Sequence, residues 1–356
     1  MSRQVSTDRL GSHVFSAEAM DRCNQLLEAA RHIVVTSHRS PDGDAIGSSL
    51  ALATYLWELG YSCAVVMPDD CPRFLHWMPG HDRVRNAQDH PDEVRSELER
   101  ADLIFCLDYN ALDRTGTLTA LLEASTASKI LIDHHPFPKD FADVSFSDVT
   151  ASSTCELVYG WMEAQGSPMP SRPVAACLYV GMITDTGSFR YPAVTPQTLH
   201  IAARLMESGI QHASIQSLVY DTNPVERMRL VGFALGERLR VWPEYHAAII
   251  ALSQADLQRF QYRSGDTEGL VNQALAIEGV NLAVLMHEDA TGKVKMSFRS
   301  RGKFSVQAIA HAHFSGGGHH NAAGGMVEGV PLAQVVERLE ALLPKWAEDL
   351  TYELGW

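Results

Sequence analysis

The segment SHRSPDGDAIG, residues 37 to 47, follows the short apolar run IVVTSH at 33 to 38 and precedes a stretch with helical periodicity. A buried strand is therefore expected before the segment and a helix after it. Gly60 supplies a C-terminal stop before the next apolar run, SCAVVM at 62 to 67. The apolar residues at helical spacing are Ile46, Leu50, Ala53 and Trp57.

The same alternation continues through the first half of the chain. DLIFCLD at 102 to 108 and KILID at 129 to 133 have the composition of buried strands, with a helical stretch near 117 to 124 between them. Strands that alternate with helices predict a parallel α/β sheet. Ligands of such sheets bind beyond the carboxyl ends of the strands, which is where His38, Asp108 and Asp133 fall.

The second half predicts a further domain. Residues 152 to 239 read as mainly helical, and a domain boundary is expected near 240. Strand-like segments then return, followed by a Gly-rich loop and a terminal helix. These segments are YHAAIIAL at 245 to 252, NLAVLMHE at 281 to 288, KVKMSFRS at 293 to 300 and the helix at 331 to 343. The expected fold class is α/β, with a parallel N-terminal sheet and a smaller C-terminal α/β domain.

Bulk properties narrow the class of protein. The 356 residues suffice for two domains, and 46% hydrophobic with 20% charged residues is typical of a soluble globular chain. No run approaches the roughly 20 apolar residues of a membrane span, and the N-terminus lacks a secretory signal, so a cytoplasmic location without membrane contact is expected. A net charge of -14 argues against binding of long duplex nucleic acid. The six cysteines show no CxxC pair and no zinc spacing, and reduced, structural thiols are expected.

Acids and histidines follow four apolar segments, and together they predict a metal site. Each has a simpler explanation alone: Asp44 as a helix cap, Asp108 as a surface acid, Asp133-His134-His135 as a hydrogen-bonded surface feature and Asp185 as a helix-terminal acid. Four independent accidents explain the set poorly. Oxygen and imidazole ligands without thiolate suit Mn²⁺ or Mg²⁺, and the histidines favour Mn²⁺.

These segments resemble the motifs of the DHH phosphoesterase superfamily, named after the triplet at 133 to 135. SFRSRGKFSVQAIAHAHFSGGGHHNAAGG at 297 to 325 is similar to the DHHA1 domain, so the resemblance covers both ends of the chain. It implies one metal on His38, Asp42 and Asp108, and a second on Asp44, Asp108, His134 and Asp185. Asp108 would bridge the two. Asp133 would orient His134 or its loop, and His135 would face the substrate or the leaving oxygen.

The resemblance also implies a domain organisation and a substrate clamp. The expected domains are an N-terminal extension (1–20), a DHH catalytic domain (21–190), a helical extension and linker (191–240) and a DHHA1 substrate-binding domain (241–350). The active-site cleft is expected between the DHH and DHHA1 domains. Glycine backbone N–H groups and a two-pronged arginine would bind substrate phosphate. A solvated strand face and a flexible loop are the simpler alternatives. The expected clamp residues are Arg299, Ser300, Arg301, Gly317, Gly318 and His319, with Lys303 and His320 nearby.

The chain length is similar to the compact subgroup of bacterial nanoRNase/pAp phosphatases, which join only these two domains. The implied activity is hydrolysis of short oligoribonucleotides, dinucleotides and 3'-phosphoadenosine 5'-phosphate (pAp) by water activated between two cations. Cyclic di-AMP or pApA hydrolysis is the nearest alternative, and a non-catalytic nucleotide-binding regulator is another. Apolar helical faces near 171 to 183 and 225 to 236 leave a homodimer possible.

Overall fold

The chain divides between Thr222 and Asn223 into two compact units in the computed structural model. The structure describes residues 14–167 and 169–352. Residues 1 to 13 of the expected N-terminal extension lie outside the described residues. Within the described ranges, no helix combines the length and apolar character that crossing a bilayer requires.

The first unit contains a six-stranded sheet whose order is β3-β2-β1-β4-β5-β6. Every neighbouring pair of these strands is parallel. The sheet therefore confirms the parallel α/β fold expected from the alternating pattern. The strands are β1 (Ile33–Thr36), β2 (Cys63–Met67), β3 (Val84–Asn86), β4 (Leu103–Leu107), β5 (Ser128–Asp133) and β6 (Val144–Ser147).

Both faces of this sheet are covered, which explains its continuous apolar strands. Neighbouring residues of a strand point to opposite faces. Val34 and Ile104 belong to one buried cluster, whereas Val35 and Phe105 belong to another. Burial on both faces removes the polar alternation of a one-sided sheet. The helices of this unit are α1 (Ala17–Ala29), α2 (Gly43–Glu58), α3 (Pro91–Arg100), α4 (Thr119–Ala124), α5 (Thr154–Ala164), α6 (Arg172–Asp185), α7 (Pro196–Glu207) and α8 (His212–Tyr220).

The second unit has a mixed sheet in the order β11-β12-β10-β9-β8-β7. Strands β8 and β9 are parallel, and the other pairs are antiparallel. The strands are β7 (Leu239–Trp242), β8 (Ala247–Leu252), β9 (Leu282–Glu288), β10 (Val294–Ser300), β11 (Gly317–His319) and β12 (Ala322–Val327). The helices are α9 (Val225–Phe233), α10 (Gln254–Arg259), α11 (Leu270–Leu275), α12 (Val306–His313), α13 (Leu332–Glu340) and α14 (Leu343–Trp346).

The Gly-rich segment after α12 was expected to be a loop, and the structure corrects this. It forms the hairpin of β11 and β12, in which Gly318 pairs with Ala323. A Cβ on Gly316 would lie 2.0 Å from the Gly324 carbonyl oxygen, and one on Gly318 would lie 2.6 Å from that of Ala322. Glycine is therefore needed because the two strands approach closely.

Residues after Thr222 pack within the second unit. Leu230 and Ala234 are fully buried in a cluster that includes Ile250 of β8 and Leu285 of β9. The sequence-based limit of the linker, 191–240, stays a prediction.

Candidate metal centre

The predicted ligands come from the ends of strands and helices in the first unit. His38 follows β1, Asp108 follows β4, and Asp133 is the last residue of β5. Asp108 has a φ of +63°, a left-handed conformation that aspartate tolerates better than most residues. Parallel strands bring these carboxyl ends to one edge, as the sequence predicted.

Asp108 belongs to three groups of potential ligands, and two of them consist of predicted ligands. His38, Asp42 and Asp108 form one group, and Asp44, Asp108 and His134 form the other; the ligand atoms within each group lie within 4.8 Å of one another. His38 Nε2 is 3.3 Å from Asp108 Oδ2, and His134 Nε2 is 3.6 Å from Asp108 Oδ1. The two carboxylate oxygens of Asp108 therefore face different groups.

Asp185 joins the second group from the last turn of α6. His134 Nε2 lies 3.2 Å from Asp185 Oδ2 and 3.8 Å from Asp44 Oδ2. All six ligands implied by the resemblance thus lie at this one edge. Their roles as ligands stay a prediction.

Asp42 and Asp44 have different roles at the start of α2: Asp42 caps the helix, and Asp44 is a buried acid in its first turn. Asp42 is the N-cap residue, and its Oδ1 accepts from the backbone N–H groups of Asp44 at 3.0 Å and Ala45 at 3.1 Å. Asp44 lies inside the first turn and is fully buried. The alternative interpretation of Asp44 as the helix cap is therefore wrong, because Asp42 is the cap.

The N-terminus of α5 holds the Asp44 carboxylate. The backbone N–H of Thr154 donates to Asp44 Oδ2 at 2.6 Å, and that of Cys155 donates to Oδ1 at 2.9 Å. Backbone N–H groups at a helix start favour a carboxylate. The Thr154 hydroxyl donates to Asp108 Oδ1 at 3.0 Å, so one residue fixes both acids.

Small residues let α2 and α6 approach closely enough to bury these acids. A Cβ on Gly181 would lie 2.2 Å from Cys155 Sγ and 2.7 Å from Asp44 Oδ1. A Cβ on Gly47 would lie 2.7 Å from the Cys177 carbonyl oxygen. The two glycines therefore set the depth at which Asp44 sits.

Backbone carbonyls orient two histidines toward the acids. His38 Nδ1 lies 2.8 Å from the Arg39 carbonyl oxygen, and His134 Nδ1 lies 3.2 Å from that of Ala151. A carbonyl oxygen requires Nδ1 to carry the proton, which leaves the Nε2 lone pair for a cation. In both residues Nε2 is the nitrogen that faces Asp108.

Asp133 contacts His135, the second histidine of the triplet. His135 Nδ1–H donates to Asp133 Oδ1 at 2.8 Å, and Nδ1 is 3.6 Å from Asp108 Oδ1. Asp133 is fully buried, and its Oδ2 has no hydrogen-bond partner in the described part of the chain. Asp133 is therefore suited to orienting His135.

The charge of Asp108 opposes ionisation of the other buried acids, Asp44 and Asp133. Burial, followed by the charge of Asp108, raises the pKa of Asp44 to about 7 and that of Asp133 to about 8. Burial also opposes ionisation of Asp108, but hydrogen bonding to His38 and the charges of His135 and His38 outweigh it and hold its pKa well below the ordinary value. Burial lowers the pKa of His38, yet the hydrogen bond to Asp108 and the charge of Asp42 raise it to about 9.

This donor set fits divalent cations. Two buried carboxylates, the half-buried carboxylate of Asp42 and two imidazoles with Nε2 turned inward supply hard oxygen and nitrogen ligands, as Mn²⁺ and Mg²⁺ require. A cation in either group would offset the repulsion that raises the pKa of Asp44. The residues present could therefore hold two metal ions.

Two residues at this edge were missed in the sequence. Thr154 lies in SSTCE, a helix start without a histidine or aspartate, and only the fold brings it to Asp44 and Asp108. Arg114 is half-buried, and its charge acts on the pKa of both His38 and Asp133. From the sequence alone, Arg114 could not be distinguished from a surface arginine, although it lies only six residues after Asp108.

The predicted clamp residues of the second unit lie at the end of β10 and in the β11–β12 hairpin. The Ser300 hydroxyl donates to the Phe304 carbonyl oxygen at 2.6 Å and accepts from Asn321 Nδ2 at 2.9 Å. Gly317 is exposed, with open space where a Cβ would stand. Arg299 is half-buried and Nη1 donates to the Phe298 carbonyl oxygen at 3.0 Å. Arg301 follows β10, and Gly318 and His319 lie in β11. The binding roles of all six residues stay predictions.

Comparison with protein families gives two matches. Residues 32–182 match the model described as DHH family, N-terminal domain. Residues 246–349 match the DHHA1 domain. The first match spans the predicted ligands from His38 to His134, and the second spans the β11–β12 hairpin.

Curated relatives join the same two regions. A Thermus thermophilus protein named bifunctional oligoribonuclease and PAP phosphatase NrnA is 31% identical over 320 residues, which cover 90% of this chain and 90% of the relative. A Bacillus subtilis protein of the same name is 26% identical over 300 residues, with 83% of this chain and 89% of the relative covered.

Two solved structures extend the comparison. An exopolyphosphatase-related protein from Bacteroides fragilis has a TM-score of 0.88 and 37% identity, covering 94% of this chain and 97% of that one. RecJ from Thermus thermophilus, in complex with Mn²⁺, has a TM-score of 0.53 and 15% identity, covering 95% of this chain and 55% of that one. At 15% identity the likeness to RecJ is one of fold alone.

Proposed function

Because this chain belongs to the DHH/DHHA1 family of phosphoester hydrolases, we propose that it cleaves short oligoribonucleotides, dinucleotides and pAp with two bound Mn²⁺ ions, Mg²⁺ being the substitute. The observation that carries the proposal is the sharing of Asp108 by two ligand groups. The Thermus thermophilus and Bacillus subtilis relatives, named for oligoribonuclease and PAP phosphatase activity, support the choice of substrates.

The proposed ligands are His38, Asp42 and Asp108 for one ion, and Asp44, Asp108, His134 and Asp185 for the other. When bound, such a pair supplies an activated water and neutralises charge on the phosphoryl oxygens. The Arg39 and Ala151 carbonyl oxygens keep the two ligand histidines in the required tautomer. Thr154 holds both Asp44 and Asp108 in place.

His135 is the residue that we propose meets the substrate. Its Nδ1–H is held by Asp133, so Nε2 is the nitrogen that exchanges a proton with the leaving oxygen. The buried Asp133 fixes the ring through this hydrogen bond. Asp133 itself acts only through His135.

In the second unit, Arg299, Arg301 and His319 are the proposed ligands of the substrate's phosphate, together with the exposed backbone of Gly317. Ser300 and Gly318 are proposed to act through the hairpin, because the Ser300 hydroxyl is bound to Phe304 and Asn321 and a Cβ on Gly318 would meet Ala322. Replacement of Arg299 by alanine should raise KM and leave Mn²⁺ binding unchanged.

A cytoplasmic location and a homodimer are also proposed. Gel filtration with light scattering tests whether the protein is a homodimer.

Product analysis tests the proposed function. Metal-stripped protein reconstituted with Mn²⁺ is incubated in parallel with pAp, pApA, a five-residue oligoribonucleotide and cyclic di-AMP. AMP release from pAp and stepwise shortening of the oligoribonucleotide support the proposal. Preferred opening of cyclic di-AMP would move the assignment to cyclic-dinucleotide turnover. Tight binding without turnover of any of the four would favour a nucleotide-binding regulator and contradict the proposal.

A further inference from the structure

A second cluster of metal-ligating side chains lies outside the DHH centre. Asp70, Cys71, His76 and His81 each offer one ligand atom, and these four atoms lie within 4.8 Å of one another. They occupy the connection between β2 and β3, where short 3₁₀ turns at Arg73–Leu75 and His81–Arg83 fold the chain back on itself. The cluster shares no residue with the two groups around Asp108.

The side chains of this cluster contact one another. Cys71 Sγ is 3.4 Å from His81 Nε2, and His76 Nε2 is 3.5 Å from Asp70 Oδ1. The His76 and His81 rings stack with centroids 4.4 Å apart and planes inclined by 23°. Among the described residues, no lysine or arginine forms an ion pair with Asp70.

The separation of Cys71 and His81 matches a tetrahedral site. Zinc bonds of 2.0 to 2.3 Å place neighbouring tetrahedral ligands roughly 3.3 to 3.8 Å apart. The 3.4 Å distance between Cys71 Sγ and His81 Nε2 falls in that range. His76 Nε2 lies 3.1 Å from the Cys71 carbonyl oxygen and 3.5 Å from Asp70 Oδ1, so the His76 ring must turn away from the carbonyl oxygen to bind an ion. The side chains of Asp70 and His76 are 49% and 37% exposed, which leaves room for them to rotate, and His76 must leave its stacked position over His81 to direct a lone pair at the same ion.

The donor types select the ion. One thiolate, two imidazoles and one carboxylate form a softer set than the oxygen and imidazole ligands around Asp108, and Zn²⁺ accepts all three types in four-coordinate sites. Mn²⁺ and Mg²⁺ prefer oxygen ligands and would be poorly held here. Four protein ligands also leave no open position for substrate, as in structural zinc sites.

The thiol of this cluster is buried in the core of the first unit. Cys71 is 6% exposed, and Leu75 and Met78 on either side of His76 are buried in the main core of the first unit. Ser40, two residues after the ligand His38, donates its backbone N–H to Asp69 Oδ2 at 2.6 Å. The connection therefore adjoins the DHH centre through Asp69, next to the cluster.

We propose that Asp70, Cys71, His76 and His81 bind one Zn²⁺ ion that fastens the connection between β2 and β3 beside the DHH centre. Binding forms one sulfur, two nitrogen and one oxygen bond to the ion and releases the Cys71 thiol proton to solvent. Cysteine spacing gave no indication of this site because it uses a single cysteine, in the pattern Cys71-x4-His76-x4-His81.

Cobalt spectroscopy on the full chain tests this proposal without relying on activity. Metal-stripped protein is first loaded with Mn²⁺ or Mg²⁺ to fill the DHH centre, and then titrated with Co²⁺ as a coloured substitute for Zn²⁺. We expect one equivalent to give a thiolate-to-cobalt charge-transfer band with tetrahedral d–d bands, and one equivalent of Zn²⁺ to bleach both. Absence of the charge-transfer band in the wild-type protein would overturn the proposal.

Substitutions at the cysteines and at His76 test which residues bind the cobalt or zinc ion. Cys71→Ser should remove the charge-transfer band, and His76→Gln at an exposed position should weaken Zn²⁺ affinity at least tenfold while leaving the fold intact. Cys63→Ser, a half-buried thiol outside the cluster, is the matched control and should retain the band. Cys155 lies beside Asp44, so Cys155→Ala is a second control. A band that survives Cys71→Ser and is lost in Cys155→Ala would assign the cobalt to the DHH centre and overturn the proposal.

Discussion

His135 donates from Nδ1 to Oδ1 of Asp133 across 2.8 Å, and both side chains are buried. Asp133 is the last residue of β5, and His135 lies two residues after it. Asp133 has no hydrogen bond at its other oxygen among the described residues. The hydrogen bond from His135 is therefore the contact through which Asp133 can orient the ring.

A double-mutant cycle tests whether Asp133 acts through His135. His135→Ala is expected to lower kcat about 10²- to 10⁴-fold, the usual contribution of an acid or base. Asp133→Ala should lower kcat about 10- to 100-fold. The double variant should be no slower than His135→Ala alone, since Asp133 then has nothing to orient. Steady-state kinetics on pAp measure this, and additive losses would show that Asp133 acts independently.

Asp108→Asn should remove most activity. Asparagine preserves the side-chain volume and tolerates the φ of +63°, so the backbone can stay in place. Both ligand groups lose their shared carboxylate, and kcat should fall at least about 100-fold, more than loss of an outer partner commonly costs. Asp113→Asn, an exposed acid on the following turn, is the control and should behave as wild type. Activity retained by Asp108→Asn with bound Mn²⁺ would refute the shared role.

The Thr154 hydroxyl should matter for metal affinity. Thr154→Val removes the donor to Asp108 Oδ1 but keeps the backbone N–H that binds Asp44. Mn²⁺ affinity, measured by calorimetric titration, should fall about 10- to 100-fold. Thr154→Ser keeps the hydroxyl and should lie close to wild type. Equal affinities for the valine and serine variants would show that the hydrogen bond is dispensable.

Gly181→Ala should destabilise the first unit and displace Asp44. The added Cβ would lie 2.2 Å from Cys155 Sγ and 2.7 Å from Asp44 Oδ1, so overpacking of about 1 to 3 kcal/mol is expected. Hydrogen exchange of β1 amides reports stability within this unit, and Mn²⁺ titration reports the carboxylate. Gly232→Ala is the control, because a Cβ there meets nothing and should add about 0.5 to 1 kcal/mol to helix stability. Unchanged exchange and affinity in the Gly181→Ala variant would contradict the packing account.

His287 should make the second unit less stable in acid. Burial, followed by the charge of Lys295, lowers its pKa to about 4 from the usual 6.5, while Asp289 acts in the opposite direction. The unfolded state takes up the proton first, so stability present above pH 6.5 is lost as the pH falls toward 4. His287→Asn removes this titration and should flatten the loss, as measured by hydrogen exchange of β9 amides. An NMR titration of His287 with a midpoint near 6.5 would contradict the prediction.

Sequence patterns predicted the parts of the fold that depend on continuous apolar runs. β1, β4 and β5 and the helix after His38 lie where the apolar patterns predicted, and the family match confirms the resemblance carried by the DHH and DHHA1 motifs. The edge strands β3 and β6 were missed because their sequences, VRN and VSFS, contain no continuous apolar run. The β11–β12 hairpin was missed because glycine, needed there for close strand approach, usually indicates a loop.

The site was predictable to the extent that its residues follow strands. His38, Asp108 and the triplet end apolar runs, so their type and position indicated ligands. Thr154 and the glycines of α2 and α6 were not predictable as site residues, because their roles depend on the contact of α5 and α6 with α2. A threonine hydroxyl at a helix start normally serves as a cap, and only the fold directs it to Asp108.

Anomalous diffraction at the manganese edge from crystals grown with Mn²⁺ is the most direct test of the shared Asp108. The account predicts two peaks in the first unit, one bonded to His38, Asp42 and Asp108 and the other to Asp44, Asp108, His134 and Asp185. Crystals of Asp108→Asn should lose at least one of them. A single peak in the wild-type protein, or two peaks without a shared Asp108 oxygen ligand between them, would contradict the account.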